Sequence, residues 1–358
     1  MLQGIAPNSR ERAADGRRRF RWQANVRNSR SVFAVPPETE LDGHERRVGV
    51  EIEYQGPRPR PAAERVRETV GGDITEKSPF ELEIAGGRYG EFRVEVDARF
   101  LKNREYLQLL ESMGVDVRDT PLQQPLEDWL GKVSSAIVPQ ELVTPPLKLS
   151  DLPVVDELRE ALRLMGARGT RDSVVYAFGV HFNPEIWSRD VRVVRNVLQS
   201  FLLLYDGLVA TMDLARRIGP FVSDFPEPYR KLVLDPSYDP DLEEFVRDYV
   251  AHNPTRNRSL DLLPLLTDLH PEGPWDRLEE PELVRARPAF HYRLPDSRID
   301  DPAWSIAEVW APWVRIETWA VRRDELESLI DAYRKNARAH PWNYRWHWRD
   351  RAAEALSG

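Results

Sequence analysis

One apolar stretch limits what this chain can fold into more than any other feature, running from about Asp190 to Ile218. Val191, Val194, Leu198, Phe201, Tyr205, Leu208, Met212 and Ala215 recur at alternating steps of three and four, the spacing of one helix face. Leu202, Leu203 and Leu204 make its middle apolar all round, so the helix belongs in a core. Gly219-Pro220 marks its stop. A coiled-coil partner helix fits less well, since the stripe covers only about four heptads. Burying such a helix needs a large core, and 358 residues can supply one, as one large domain or two smaller ones. The longest uninterrupted apolar run of note, Phe201 to Tyr205, is too short to span a bilayer, and no apolar signal core follows Met1. The expectation is a cytoplasmic protein.

Around that helix the chain reads as strands in hairpins with helices between them. Val48-Gly49-Val50-Glu51-Ile52-Glu53-Tyr54 alternates as a strand does, and Pro57 to Pro61 reads as a loop after it. Phe80 to Ile84 and Glu91 to Phe100 also alternate, joined by the turn-rich segment 85–90, which predicts an antiparallel hairpin. Further strands are expected at Ser134–Val143, Ser173–Phe182 and Trp313–Trp319. Val154, Val155, Leu158, Leu162 and Met165 have helical spacing closed by Gly166, and Leu326, Leu329, Ile330 and Tyr333 mark a last helix before Pro341. The pattern predicts an α+β fold with an antiparallel sheet and packed helices.

Composition narrows the chemistry. The chain has no cysteine, which excludes disulfides, thiolate metal sites and cysteine nucleophiles. Net charge is −8, yet residues 1–30 carry +6 from eight arginines and two acidic residues. That arm reads as a solvated leader, though it could touch nucleic acid or an acidic partner. The acidic remainder argues against nucleic acid as the main partner. Organisation is expected as a leader over 1–45, a body over 46–340 and a tail over 341–358 rich in tryptophan and arginine. Trp342, Trp346 and Trp348 suit packing of that tail onto the body, and also a docking surface.

Several polar residues are placed to do chemistry. On a strand, Glu51 and Glu53 share the face opposite Val50 and Ile52. Side-by-side carboxylates share a proton or hold a cation, and Mg²⁺ with substrate phosphates would suit them. The same spacing also describes a solvated strand face. Glu91, Arg93, Glu95, Asp97 and Arg99 share one face of the hairpin, which reads as a charged cleft floor or an exposed salt-bridged strand. His181 and Asn183 share a face with Val180 and Phe182 behind them, and Glu141 ends a strand before Pro145-Pro146. A neutral histidine there could bind metal or serve as a structural group. Arg293, Arg298 and Arg315 supply fixed cations, and His252 to Arg258 is a polar loop able to grip anions. Arg315 and Glu317 are expected on one face, with Val314 and Ile316 behind. No G-x-x-x-x-G-K-[ST], G-x-G-x-x-G, G-x-S-x-G or H-E-x-x-H motif occurs.

In order along the chain, Gly49-Val50-Glu51-Ile52-Glu53-Tyr54, Glu141 to Leu147, Gly179 to Asn183 and Arg315-Ile316-Glu317 resemble the motifs of the amidoligases. Those belong to the carboxylate–amine ligase superfamily with glutamine synthetase and the glutamate–cysteine ligases. The resemblance spans roughly residues 46–335, and Tyr292-Arg293-Leu294-Pro295 adds a further similar segment. It implies a glutamine synthetase-like antiparallel sheet whose concave face holds ATP and Mg²⁺. By that resemblance Glu51 and Glu53 bind the metal, with Glu141 and Glu317 as further metal or substrate carboxylates. His181 would lie at the phosphate end and Arg293 and Arg315 would neutralise phosphate, with Asn183 and Arg298 as further cofactor-binding candidates. Where relatives carry arginine two residues after the last glutamate, this chain has Trp319, and Arg315 could substitute.

The activity so implied is ATP-dependent joining of a carboxylate to an amine through an acyl phosphate, with small-molecule or peptide substrates and possible homo-oligomers. Two other readings stay open. One is a phosphotransferase of the guanidino-kinase type, which needs no amine substrate. The other is a non-catalytic module that binds a peptide or protein on the same fold.

Overall fold

The computed structural model describes residues 32–78, 80–96, 139–170, 178–212, 214 and 222–357. The basic arm, Asp97, Arg99, the strand segments 134–138 and 173–177, and the Gly219-Pro220 helix stop lie outside the described residues. Within residues 32–45, a short ribbon of β1 (Glu40–Leu41) and β2 (His44–Glu45) precedes the central strand β3 (Arg47–Tyr54). Next come α1 (Pro59–Val70), β4 (Asp73–Ser78), β5 (Glu81–Ala85), β6 (Phe92–Val96), β7 (Gln140–Val143) and β8 (Leu147–Lys148). Then follow α2 (Pro153–Leu164), β9 (Val180–Pro184), α3 (Val191–Thr211), α4 (Glu227–Val233) and α5 (Leu242–His252). The chain finishes with β10 (Leu260–Asp261), α6 (Leu263–Leu269), β11 (His291–Tyr292), α7 (Ile306–Val321), α8 (Arg323–Ala339) and α9 (Tyr344–Ser357).

The described strands β3 to β11 form one nine-stranded sheet in the order β10-β11-β9-β3-β7-β6-β5-β4, with β8 also paired to β3. Its pairs are antiparallel, so the protein is α+β, as the sequence pattern predicts. Alternation decides the two faces. Val48, Val50 and Ile52 of β3, Leu82 and Ile84 of β5, and Phe92 and Val94 of β6 are fully buried under helices. α1 lies over β4, β5 and β6. On the other half of the sheet, Phe182 and Tyr292 pack on Trp310 and Trp313 of α7, with ring centroids 5.3 Å apart in each pair.

α3 is the core helix that the apolar run demands. Asp190 caps it by accepting from the Arg192 N–H, and Val194, Leu198, Phe201 to Tyr205 and Leu208 are buried. Among the described residues one helix, α3, has the length and apolarity of a membrane span, and most of it is enclosed by protein. α7 and α9 pack along it.

Two local expectations are corrected. Pro57 to Pro61 does not end as a loop. α1 begins at Pro59, where proline's fixed φ suits the first turn and its missing N–H costs nothing. Trp313–Trp319 is not a strand but the second half of α7. Its apolar residues fit both periods. The deciding signal is Ser305 with Glu308 three residues on, a capping pair in which the Ser305 hydroxyl accepts from the Glu308 N–H. Pro312 sits inside this helix instead of ending it.

The C-terminal segment is part of the core. Trp348 of α9 is 2% exposed, and its indole N–H donates to the Leu203 carbonyl at 2.7 Å. Trp342 and Trp346 stay exposed. Trp348→Ala is expected to cost about 3–5 kcal/mol, the usual loss for a buried tryptophan. A urea titration checks this: the midpoint should fall with the slope unchanged, and an unmoved midpoint would contradict the packing described.

Candidate functional site

The pairing registers decide what stands beside each polar side chain of β3. Glu53 lies opposite Glu141 on β7, Glu141 opposite Glu95 on β6, and Glu95 opposite Glu81 on β5. A row of carboxylates therefore crosses the sheet from its centre. Like charges placed directly opposite one another destabilise a sheet. The row thus needs positive charge, of which Arg93, 3.4 Å from Glu95, supplies a part. In the adjoining row, Glu51 lies opposite His181 on β9.

Glu51 and Glu53 share a face but not a setting. The Glu53 carboxylate is buried, accepts the Gly179 backbone N–H and lies 3.3 Å from His181 Nε2. The Glu51 carboxylate meets His181 Nδ1 at 3.0 Å and the Asn183 amide at 2.9 Å. Asn183 is fixed in turn by Arg287, whose guanidinium donates to its carbonyl oxygen at 2.6 Å. His291 Nε2 lies 3.8 Å from the same Glu51 oxygen, and His291 Nδ1 lies 3.4 Å from Asp261. Two groups of ligand atoms result, each drawn together within 4.8 Å: Glu51, His181 and His291, and Glu53, Glu141 and His181.

Electrostatics separate these groups. Burial pushes the His181 imidazole down to about 4, against the opposing pull of Glu53 and Glu51. Burial raises the Glu51 carboxyl, but the adjacent His181 and His291 imidazoles outweigh it and hold Glu51 well below the ordinary carboxylate range. At neutral pH a neutral imidazole with one proton therefore faces carboxylate oxygens at both of its nitrogens. Only one of those contacts can be a hydrogen bond. The other nitrogen turns a lone pair toward an anion, which is favourable only with a cation or a further proton between them.

Positive charge borders the site on the β9–β11 side. Arg287 is lowered by burial and by Arg256 and Arg285, against the pull of Glu51 and Asp261. Arg293 is buried, donates to the Arg256 carbonyl and bears electrostatically on His181. Among the described residues, the Nε of Arg256 and of Arg287 is buried without a hydrogen-bond partner. Buried donors of this kind suit an anionic ligand.

The structure brings Glu51, Glu53, Glu141, His181 and Asn183 together, with Arg293 at their edge. Three expected residues go elsewhere. Glu317 is fully buried on α7, where both its oxygens take the Arg46 guanidinium, at 2.7 and 2.9 Å, and one accepts the Trp313 indole N–H. Arg315, two residues away on a helix, points to a different side and shares no face with Glu317. Arg298 pairs with Glu308 at 3.5 Å. Trp319 donates to the Ala355 carbonyl and so holds α9. Three residues of the site escaped the sequence reading. His291 alternates with Tyr292 on a strand of two residues, too short for a period to show. Asp261 interrupts an apolar run, which was the available signal of a buried acid. Arg287 lies outside any strand or helix.

The polar face of the sheet thus gathers carboxylates and imidazoles, with arginines at its β9–β11 side. A family model described as "putative amidoligase enzyme" matches residues 44–315, well over half of the chain, and takes in every residue of both ligand groups. The chain belongs to that family, and membership implies a ligase activity. Comparison with curated proteins and with solved structures gives no match.

Burial of neutral His181 has a consequence for stability. Between its ordinary value of 6.5 and about 4, the unfolded chain binds a proton here that the folded chain does not. Stability of the metal-stripped protein should therefore fall as pH drops through that window, by about 3 kcal/mol from this group. Urea midpoints measured from pH 7 to pH 4 check it, and His181→Gln should flatten the profile. A wild-type profile already flat would contradict the burial.

Proposed function

We propose that this protein is an ATP-dependent carboxylate–amine ligase, forming an amide or peptide bond through an acyl phosphate on a glutamine synthetase-like sheet. The observation that carries the reading is the in-register pair Glu53 and Glu141, two carboxylates held opposite one another with His181 Nε2 3.3 Å from Glu53. The donor set fits Mg²⁺, which accepts one or two carboxylates and completes its shell with phosphate oxygens and water. Glu53 and Glu141 would hold it, and it would supply positive charge that neutralises the phosphates.

The chain's own residues divide the remaining work. Arg256, Arg287 and Arg293 would bind the phosphates and stabilise charge that develops during transfer. Arg256 and Arg287 would take the part that the sequence resemblance gives to Arg315. His181 and Asn183 would fix the orientation of Glu51 at the centre of the floor. In the reaction, a substrate carboxylate oxygen bonds to the γ-phosphorus as the bond to the β-phosphate oxygen breaks, releasing ADP. The amine nitrogen then bonds to the acyl carbon, phosphate leaves, and the nitrogen loses a proton. No protein nucleophile is required, in keeping with a chain that has no cysteine.

Replacing one carboxylate tests this reading. Glu53→Gln keeps size and hydrogen-bonding capacity but removes the charge. ADP release in the presence of Mg²⁺, an acid and an amine should fall on the order of 100-fold or more, with the urea midpoint little changed. Unaltered turnover in a folded Glu53→Gln protein would overturn the metal role of this pair.

A further inference from the structure

We propose that the turn joining α8 to α9 is a docking surface for an anionic lipid bilayer, with Trp342 and Trp346 entering the interface and basic side chains meeting the headgroups. The inference stands apart from the ligase reading, and its test needs neither ATP nor substrate.

Charge is concentrated in this stretch of the chain. Between Asp331 and Glu354 it carries six basic residues and one acid, a net of +5 in a protein of net −8. Two of the six turn inward: Arg345 pairs with Asp206 and Asp224, and Arg334 with Asp235. Lys335 and Arg338 lie three residues apart near the end of α8, so they share one side of the helix. Both are exposed and have no ion-pair partner among the described residues.

Helix geometry places the tryptophans. Residues two apart on a helix point about 200° apart. Burying Trp348 against Leu203 of α3 therefore turns Trp346 outward, where it is 64% exposed. Trp342, in the turn itself, is 96% exposed. The turn is nonetheless held. The Asn336 side-chain amide donates to the Tyr344 carbonyl at 2.7 Å, and the Tyr344 hydroxyl donates to Glu227 at 2.6 Å. A fixed turn that keeps two indoles in water, with unpaired cations beside them, has the make-up of an interaction surface.

The same residues select among occupants. Tryptophan settles at the membrane–water interface, and lysine and arginine beside it meet anionic headgroups. Single-stranded nucleic acid would instead need open ring faces on which bases stack. Here the Arg349 guanidinium covers the Trp346 ring, 4.1 Å from its centroid, and the His340 and His347 rings stack on each other at 3.9 Å. A second copy paired through this turn about a two-fold axis would set like charges together. The arm over residues 1–30, itself +6, has the same sign as the surface. α8 and α9 pack on α3, behind the sheet, so a bilayer at this turn would not cover the carboxylate floor.

Flotation of the full-length protein with vesicles tests this, using phosphatidylcholine alone and phosphatidylcholine with about 30% phosphatidylglycerol. Binding is expected to the anionic vesicles and not to the neutral ones, and should weaken as NaCl rises to about 0.5 M. Trp342→Ala should weaken it by about 10-fold, and Lys335→Gln combined with Arg338→Gln by about 30-fold. Arg65→Gln, which removes an exposed cation of α1, should change nothing. The Trp342 side chain packs on nothing, so Trp342→Ala should keep the wild-type urea midpoint, which separates lost binding from lost folding. Brominated lipid should quench the fluorescence of the wild type more than that of Trp342→Ala. No binding to anionic vesicles overturns the proposal, as does binding that Trp342→Ala and the double cation variant both leave intact. Tighter binding to a single-stranded oligonucleotide, lost in Trp342→Ala, would overturn it in favour of nucleic acid. A dimer that Trp342→Ala dissolves would overturn it in favour of a second copy.

Discussion

The register of β3 against its two neighbours is the constraint from which the site follows. Pairing with β7 sets Glu53 opposite Glu141, and pairing with β9 sets Glu51 opposite His181. A slip of one residue would turn Val50 and Ile52 toward the polar face and bury both glutamates against the helices. That error would forfeit the burial of two fully enclosed aliphatic side chains and add two uncompensated charges to the core. The hydrophobic core and the charged floor therefore specify the same alignment. The helices α3 and α7 enforce it from behind, through Phe201, Trp310 and Trp313 against Phe182 and Tyr292.

Buried charge in this protein falls into two kinds with different physics. Arg46 and Glu317 are a closed pair. Every Arg46 nitrogen is used, on Glu317 and on the Glu38 and Glu185 carbonyls, and Trp313 satisfies Glu317 further. Such a pair ties the edge of β3 to α7 and has nothing left for a ligand. The carboxylates and imidazoles on the sheet are an open arrangement. Neutral His181 lies between Glu51 and Glu53, Glu53 and Glu141 face one another across the strand pair, and among the described residues His291 Nε2 has no hydrogen-bond partner. Glu317, although a buried glutamate, belongs to the closed pair and not with Glu51 and Glu53.

Much of the fold was legible because it rests on local periods. The β3 alternation, the β5–β6 hairpin, the α3 stripe and the α2 and α8 helices all follow the spacing of their apolar residues. The site was legible where strands are long: Glu51, Glu53, His181 and Asn183 could be set on faces by counting alternate positions. It was not legible where elements are two residues long, as at β10 and β11, or where an apolar helix satisfies a strand period as well. The second case misplaced Arg315 and Glu317, since the segment around them is apolar at nearly every core-facing position of α7. Pairing of distant strands is beyond any local period, and so the opposition of Glu53 and Glu141 needed the three-dimensional structure.

On the proposed reading, the carboxylate floor holds a cation for the phosphates of ATP. Calorimetric titration of ATP into the purified protein, with and without Mg²⁺, addresses it most directly. Binding that appears with Mg²⁺ and vanishes without it is the expected result. Binding of equal strength in both conditions, or no binding in either, would contradict it.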